Sequence, residues 1–264
     1  MDEEKKDAAQ NFELVLSSAA RLPGVRIDRE KYLVGALGKK FSLEVVATAV
    51  DSSPAAAGIK PEELSHIADA SIRYESTKVT AISAVAGIPG GFAMAGAVPA
   101  DLAQYFAHVL RITQKLAFLY GWDHIFEGTE EEIDDEAKNL LILFIGVMFG
   151  ANGATDAVTK ISNQVAAAVA RKLPQKALTK GAIYPIVKKV AGYIGVKMTK
   201  DIFAKGVSKV IPFIGGVISG GITLATYAPM CLKLKDYLAG LEVANPDTYV
   251  VKAIAAEDVE EYEA

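Results

Sequence analysis

VTAISAVAGIPGGFAMAGAVPA, residues Val79 to Ala100, contains no charged residue, and its reading decides the fold. A second stretch, VIPFIGGVISGGITLATYAPMCL from Val210 to Leu232, has the same character and repeats one spacing. Gly90, Gly91 and Gly96 recur as Gly215, Gly216 and Gly221, a constant offset of 125. Each stretch is about as long as the roughly 20 residues that a bilayer-crossing helix needs. Both, however, are broken by proline and diluted by small residues. A proline frees backbone groups that lipid cannot satisfy, so a helical hairpin or re-entrant form is expected ahead of a straight span. Glycines at i and i+4, as in Gly87/Gly91, Gly146/Gly150 and Gly216/Gly220, let helix backbones approach closely in a bilayer or in a dense soluble bundle.

Outward from these stretches the signals are helical. Asp28 caps a predicted helix through Leu37, and Ser42 another through Val50; Ser53 with Pro54, and Pro61 with Glu62 and Glu63, supply further starts. The helix from Pro61 is expected to run to Ala86, where Gly87, Pro89, Gly90 and Gly91 interrupt it. Pro99 precedes a helix from Ala100 to Tyr120, stopped by Gly121. Asn139 to Thr155 is a further uncharged run, too short to span a membrane comfortably and ending in an Asn152-Gly153 turn. Beyond it, Ile183, Val187, Val190 and Ile194 share one helical face. No run alternates as a strand bounded by hairpin turns.

The helix after Pro99 carries Leu102, Phe106, Val109, Leu116 and Leu119 largely on one side, while Asp101, Gln104, His108, Arg111 and Lys115 form a continuous polar stripe. Asp101, His108 and Arg111, with Asp123 and His124 soon after, can serve as a buried ion-pair network, a ligand site or an acid-base centre if a cleft perturbs them. Spacing alone favours the ion-pair network.

The net charge of −4 conceals segregation. Lys160 to Lys209 holds eleven basic residues and one acid, a local +10 that leaves −14 elsewhere, concentrated in Glu127 to Glu136 and Glu257 to Glu263. Lys172, Lys176 and Lys180, with Lys197, Lys200, Lys205 and Lys209, suit anionic lipid headgroups at about 1 kcal/mol each. Nucleic acid is disfavoured, because the region has little arginine and no binding motif. The single cysteine, Cys231, excludes an intrachain disulfide and fits a reducing, cytoplasmic setting. Met1 to Asp7 is acidic and lacks the basic and apolar parts of a signal peptide, so Sec export is not expected. Phosphate-loop, HExxH, GxSxG and dinucleotide signatures are absent, as is any metal-ligand spacing. The expectation is no cofactor, no metal and no catalytic assignment.

The run from Ala86 through Pro89-Gly90-Gly91, Gly96, Pro99 and Asp101, continuing past Leu110-Arg111 to Tyr120-Gly121-Trp122-Asp123, resembles the EcsC family of bacterial proteins. The run from Lys200 through Ile211-Pro212-Phe213-Ile214-Gly215-Gly216 looks like that family's second block, although Gly221-Ile-Thr-Leu-Ala-Thr226 stands where many such proteins continue with asparagine. The resemblance extends from about Phe12 to Leu238. It implies an association with the genetic neighbourhood of an ABC transporter and no established activity. On that basis Pro89, Gly90, Gly91, Gly96, Pro99, Asp101, His108, Arg111, Tyr120, Gly121 and Asp123 are candidate structural or ligand residues.

The expected fold is all-α: a compact multi-helix bundle in one EcsC-like domain, residues 1–245, followed by an acidic tail, 246–264. Two glycine-rich apolar hairpins, related by an internal pseudo-repeat, are expected to pack together near its centre. The expected function is that of a cytoplasmic accessory protein, peripheral at the inner face of the cell membrane, binding anionic lipid or a membrane protein such as an ABC-transporter component. The alternative is a soluble ligand-binding protein or enzyme with a polar pocket around Asp101, His108 and Arg111. A self-associating homo-oligomeric bundle is a third reading.

Overall fold

Asp28, Ser42 and Asp134 each open a helix in the computed structural model, which describes residues 3–86, 100–122, 134–170, 183–197 and 217–249. The Asp28 carboxylate accepts from Lys31 N, the Ser42 hydroxyl from Val45 N, and the Asp134 carboxylate from Glu136 N and Ala137 N. Each bond satisfies amides that the first helical turn leaves without a partner. Among the described residues the elements are α1 (Glu3–Ala20), α2 (Arg29–Leu37), α3 (Leu43–Asp51), α4 (Pro61–Ala86), α5 (Ala100–Leu119), α6 (Asp135–Phe149), α7 (Ala154–Ala170), α8 (Tyr184–Lys197) and α9 (Val217–Ala239). A 3-10 turn follows at Glu242–Ala244, and no strand occurs among these residues. The all-α expectation therefore holds.

Proline and glycine set several of the boundaries. At α4, Pro61 occupies the first helical position, and the Glu63 carboxylate reaches back to Lys60 N at 3.1 Å. α5 ends where Gly121, at φ +89, lets Trp122 N donate to Ala117 O at 3.0 Å. α6 ends the same way, with Gly150 at φ +73 and Ala151 N donating to Gly146 O. Both closures need a left-handed residue, which glycine adopts without a Cβ penalty. Gly150 thus serves as a stop signal, while its i−4 partner Gly146 is the packing residue: a Cβ there would overlap Val190 of α8.

Two expectations are modified. Ser53 and Pro54 do begin a turn, with Ala56 N donating to the Ser53 hydroxyl, but it closes after one turn at Gly58, φ +79. Pro229 does not end its helix; α9 continues across it from Val217 to Ala239. Of the two glycine-rich stretches expected as hairpins, 79–100 and 210–232, residues 87–99 and 210–216 lie outside the described residues, while Val79 to Ala86 belongs to α4 and Val217 to Leu232 to α9. The helices that follow them end differently, because Gly121 is left-handed whereas Gly240 is not.

Around α5 the bundle assembles: α1, α2, α4, α6 and α9 all pack against it. From Leu102 to Leu119 every side chain of α5 except Gln104, Tyr105 and Arg111 is buried. The predicted two-sided helix is therefore a core helix, and its polar stripe faces protein from His108 to Lys115, while Gln104 is exposed. Phe106 meets the Phe12 ring edge-to-face at 5.4 Å, and Tyr105 meets Tyr227 at 6.2 Å. Each fully buried leucine or phenylalanine here stabilises the fold by about 1.5–3 kcal/mol. α6 is buried from Leu140 through Met148, which explains the uncharged run as an all-round core helix. Ile183, just before α8, and Val187, Val190 and Ile194 on it are all buried, as their spacing predicts. The opposite side of α8 lies on α1, where a Cβ at Gly195 would overlap the Ala8 carbonyl oxygen.

Candidate functional site

Leu64, Ala68, Ile72, Glu75 and Val79 recur at helical spacing along one side of α4, and all five are buried. Four are apolar; the fifth is a carboxylate with no solvent exposure. A charge in that position requires partners, since an unpaired buried carboxylate is strongly disfavoured. They come from the polar stripe of α5. His108 Nδ1 lies 3.1 Å from Glu75 Oε2, Arg111 Nε lies 3.2 and 3.1 Å from the two carboxylate oxygens, and Lys115 Nζ donates to Oε1 at 2.5 Å. Residues 108, 111 and 115 stand one turn apart, so one helix supplies all three. Burial alone would raise the Glu75 pKa, but the hydrogen bonds from His108, Arg111 and Lys115 outweigh it and hold the group down at about 2.

The same α5 residues fix neighbouring backbone. Arg111 donates an Nη1 proton to the carbonyl of Gly24, a left-handed residue at φ +75. Gln114 donates to Val25 O and accepts from Ile27 N, both at 2.9 Å, so the chain between α1 and α2 is tied to α5 at three points. On the far side, the Tyr227 hydroxyl of α9 donates to His108 O at 2.9 Å. A second ion pair joins α4 to α9, with Lys235 Nζ 2.7 Å from Asp69.

Lys115 connects this interior to an open groove of about 480 Å³ between α2 and α4. Its ammonium lies 4.8 Å from the Tyr74 ring centroid and 5.8 Å from that of Tyr32, within cation–π range. The Tyr32 hydroxyl is hydrogen-bonded to Ser71 at 2.8 Å. Lys31, Lys39, Lys40 and His66 complete the basic lining, and among the described residues no carboxylate lines the groove. Lys40 Nζ donates to a main-chain carbonyl, that of Glu63, at 2.9 Å. Among the described residues, no group of His, Cys, Asp and Glu is arranged to hold a metal ion.

Of the residues singled out from sequence, His108 and Arg111 meet on Glu75, Tyr120 is buried, and Gly121 is the left-handed stop of α5. Asp101 is the second residue of α5, and Lys197 the last of α8. Pro89, Gly90, Gly91, Gly96, Pro99 and Asp123 lie outside the described residues, as do Lys172, Lys176, Lys180, Lys200, Lys205 and Lys209. Sequence reasoning missed Glu75 and the groove lysines Lys31, Lys39 and Lys40. The signal for Glu75 was present, an acid occupying an apolar register of α4; for the groove there was none, because it needs two helices brought side by side. Neither a family model, nor a curated protein, nor a solved structure matches the chain.

Proposed function

We propose that this protein is a peripheral accessory protein of a negatively charged membrane surface, an EcsC-like chain that meets anionic lipid, or a membrane protein such as an ABC-transporter component, from the cytoplasmic side. The observation that carries the reading is the corner between α2 and α3. Leu43, the first residue of α3, is 88% exposed, and the exposed Lys39 and Lys40 stand just before it with Phe41. An apolar side chain gains about 1.5–3 kcal/mol on leaving water. Each lysine near an anionic surface adds about 1 kcal/mol. The +10 segment from Lys160 to Lys209 supplies further charge of the same sign. No helix among the described residues is long and apolar enough to cross a membrane, and the proposal is therefore one of surface attachment.

The pocket reading around Asp101, His108 and Arg111 has less support. His108 and Arg111 already direct ring and guanidinium nitrogens at Glu75, and Arg111 also donates to Gly24. Vesicle flotation at low salt tests the membrane reading. The wild-type chain is expected to float with vesicles containing phosphatidylglycerol and not with pure phosphatidylcholine, and Leu43→Asp to weaken the association at least tenfold. No flotation of the wild type with anionic vesicles would sink the proposal.

A further inference from the structure

We propose that the groove between α2 and α4 is a binding site for a phosphate monoester with a small organic body, whether that phosphate belongs to a soluble metabolite or to a lipid headgroup. The site stands whether or not the protein meets a membrane. Its volume, about 480 Å³, lies within the range of roughly 300–1,000 Å³ that small-molecule sites occupy.

Charge points to the ligand class. Lys31, Lys39, Lys40, Lys115 and His66 converge on the groove from three helices and the turn after α2, in a chain whose net charge is −4. Glu75, the carboxylate that pairs with Lys115, sits behind it with no exposure. Glu75 offsets one of the two permanent charges, Arg111 and Lys115, that face it, so the cluster retains at least one positive charge. Lys40 is held by a neutral main-chain carbonyl, which leaves its charge uncancelled.

Geometry narrows the class. Among the described residues the lining cations are lysines with one histidine, and no arginine is among them. Ammonium groups act as point charges approaching from several directions, which suits a tetrahedral phosphoryl group more than the planar carboxylate that an arginine fork matches. A phosphate monoester also carries about −1.5 to −2 charges at neutral pH, enough to engage several of these lysines at once.

The back wall is ordered in advance. Glu75 fixes Lys115 Nζ at 2.5 Å, the Tyr74 ring flanks it at 4.8 Å, and Tyr74 itself is half exposed and able to cover an organic body. Room is left where α2 has glycine: a Cβ at Gly35 would meet nothing within 4 Å.

Isothermal titration of the full chain at low salt, using glycerol 3-phosphate with glycerol as the neutral control, tests the site. Flotation with phosphatidic acid vesicles against phosphatidylcholine runs in parallel. Two variants are compared: the double change Lys31→Gln/Lys39→Gln, and Gly35→Leu, which fills the groove while keeping every charge. Thermal melts confirm that both remain folded. The expected result is saturable binding of glycerol 3-phosphate, no binding of glycerol, and at least a tenfold loss in both variants. Binding in solution without flotation assigns a soluble phosphate ester; flotation that Gly35→Leu abolishes assigns a lipid headgroup. Wild-type binding in both variants, or no saturable binding of either phosphate probe, overturns the site. Leu43→Asp separates the two proposals, since it is expected to reduce vesicle association and leave glycerol 3-phosphate titration unchanged.

Discussion

Lys115 on α5 donates to Glu75 on α4 across 2.5 Å, with the carboxylate shielded from solvent and the lysine nearly so. The contact couples the interior of the bundle to its groove, because the ammonium that closes the ion cluster on one side faces Tyr74 and the groove lined by Lys31, Lys39 and Lys40 on the other. His108 and Arg111 complete the coordination of the same carboxylate. Glu75 is therefore the point at which the Arg111 and Lys115 charges and the His108 ring, all from one helix, share a single buried carboxylate.

Replacing Glu75 by alanine leaves Arg111 and Lys115 without their shared counter-ion. Breaking a buried ion pair from one side destabilises by about 3–5 kcal/mol. Urea denaturation is expected to show a loss of that order for Glu75→Ala. The loss should be smaller for Lys115→Met, where the carboxylate keeps His108 and Arg111 as partners.

Acid should weaken the fold through the same group. The Glu75 pKa is about 2 in the folded chain against an ordinary 4.5, so the folded state favours the ionised form. Its contribution is fully present above about pH 4.5, declines as the pH falls, and is gone below about pH 2. The difference corresponds to a contribution on the order of 3 kcal/mol. Denaturation midpoints measured from pH 6 to pH 2 should fall for the wild type, and the part due to this group should be missing in Glu75→Gln.

Two glycines are expected to respond to alanine in opposite directions. At Gly121, φ is +89 and a Cβ would overlap the Val243 carbonyl oxygen, so Gly121→Ala should destabilise by at least 1–2 kcal/mol, from left-handed strain before the clash is counted. Gly35 lies inside α2 facing open space, and Gly35→Ala should stabilise by up to about 1 kcal/mol through helix propensity. Melting temperatures of the pair give the comparison.

Cys231 should be inert in the native protein. Burial pushes its thiol up to about 12, ahead of the opposing hydrogen bond from Tyr227, and the side chain has no exposure. The thiolate is the reactive form. A chromogenic disulfide reagent at pH 8 is expected to titrate no thiol in the folded chain and one after denaturation. Rapid native labelling would contradict this placement.

Local chemistry made much of the fold legible. Asp28, Ser42, Pro61 and Gly121 act through their own backbone neighbourhood, so the bounds of α2 to α5 follow from side chains within a few residues. The stripe containing 108, 111 and 115 was likewise visible, and an ion-pair network was expected around Asp101, His108 and Arg111. Its partner was not, because Glu75 sits among Arg73, Thr77 and Lys78 and reads as one more surface charge until Leu64, Ala68, Ile72 and Val79 are aligned with it. Burial of α5 on nearly every side depends on five helices converging, which no local pattern encodes. The groove is further removed still, since Lys31, Lys39 and His66 acquire a shared role only when α2 lies beside α4.

The glycine-lined seat of α1 on α8 sets an order of events during synthesis. Glu13 of α1 pairs with Lys188 of α8, 175 residues later, and Gly192 and Gly195 bring the α8 backbone against Lys5 and Ala8. At a translation rate of about 5–20 residues per second, α1 leaves the ribosome roughly 10–35 s before the helix that covers this side of it. The earliest of the described helices is thus among the last of them to be fully covered, and through that interval its Ala8 side depends on the helices made in between or on the cell's chaperones for shelter.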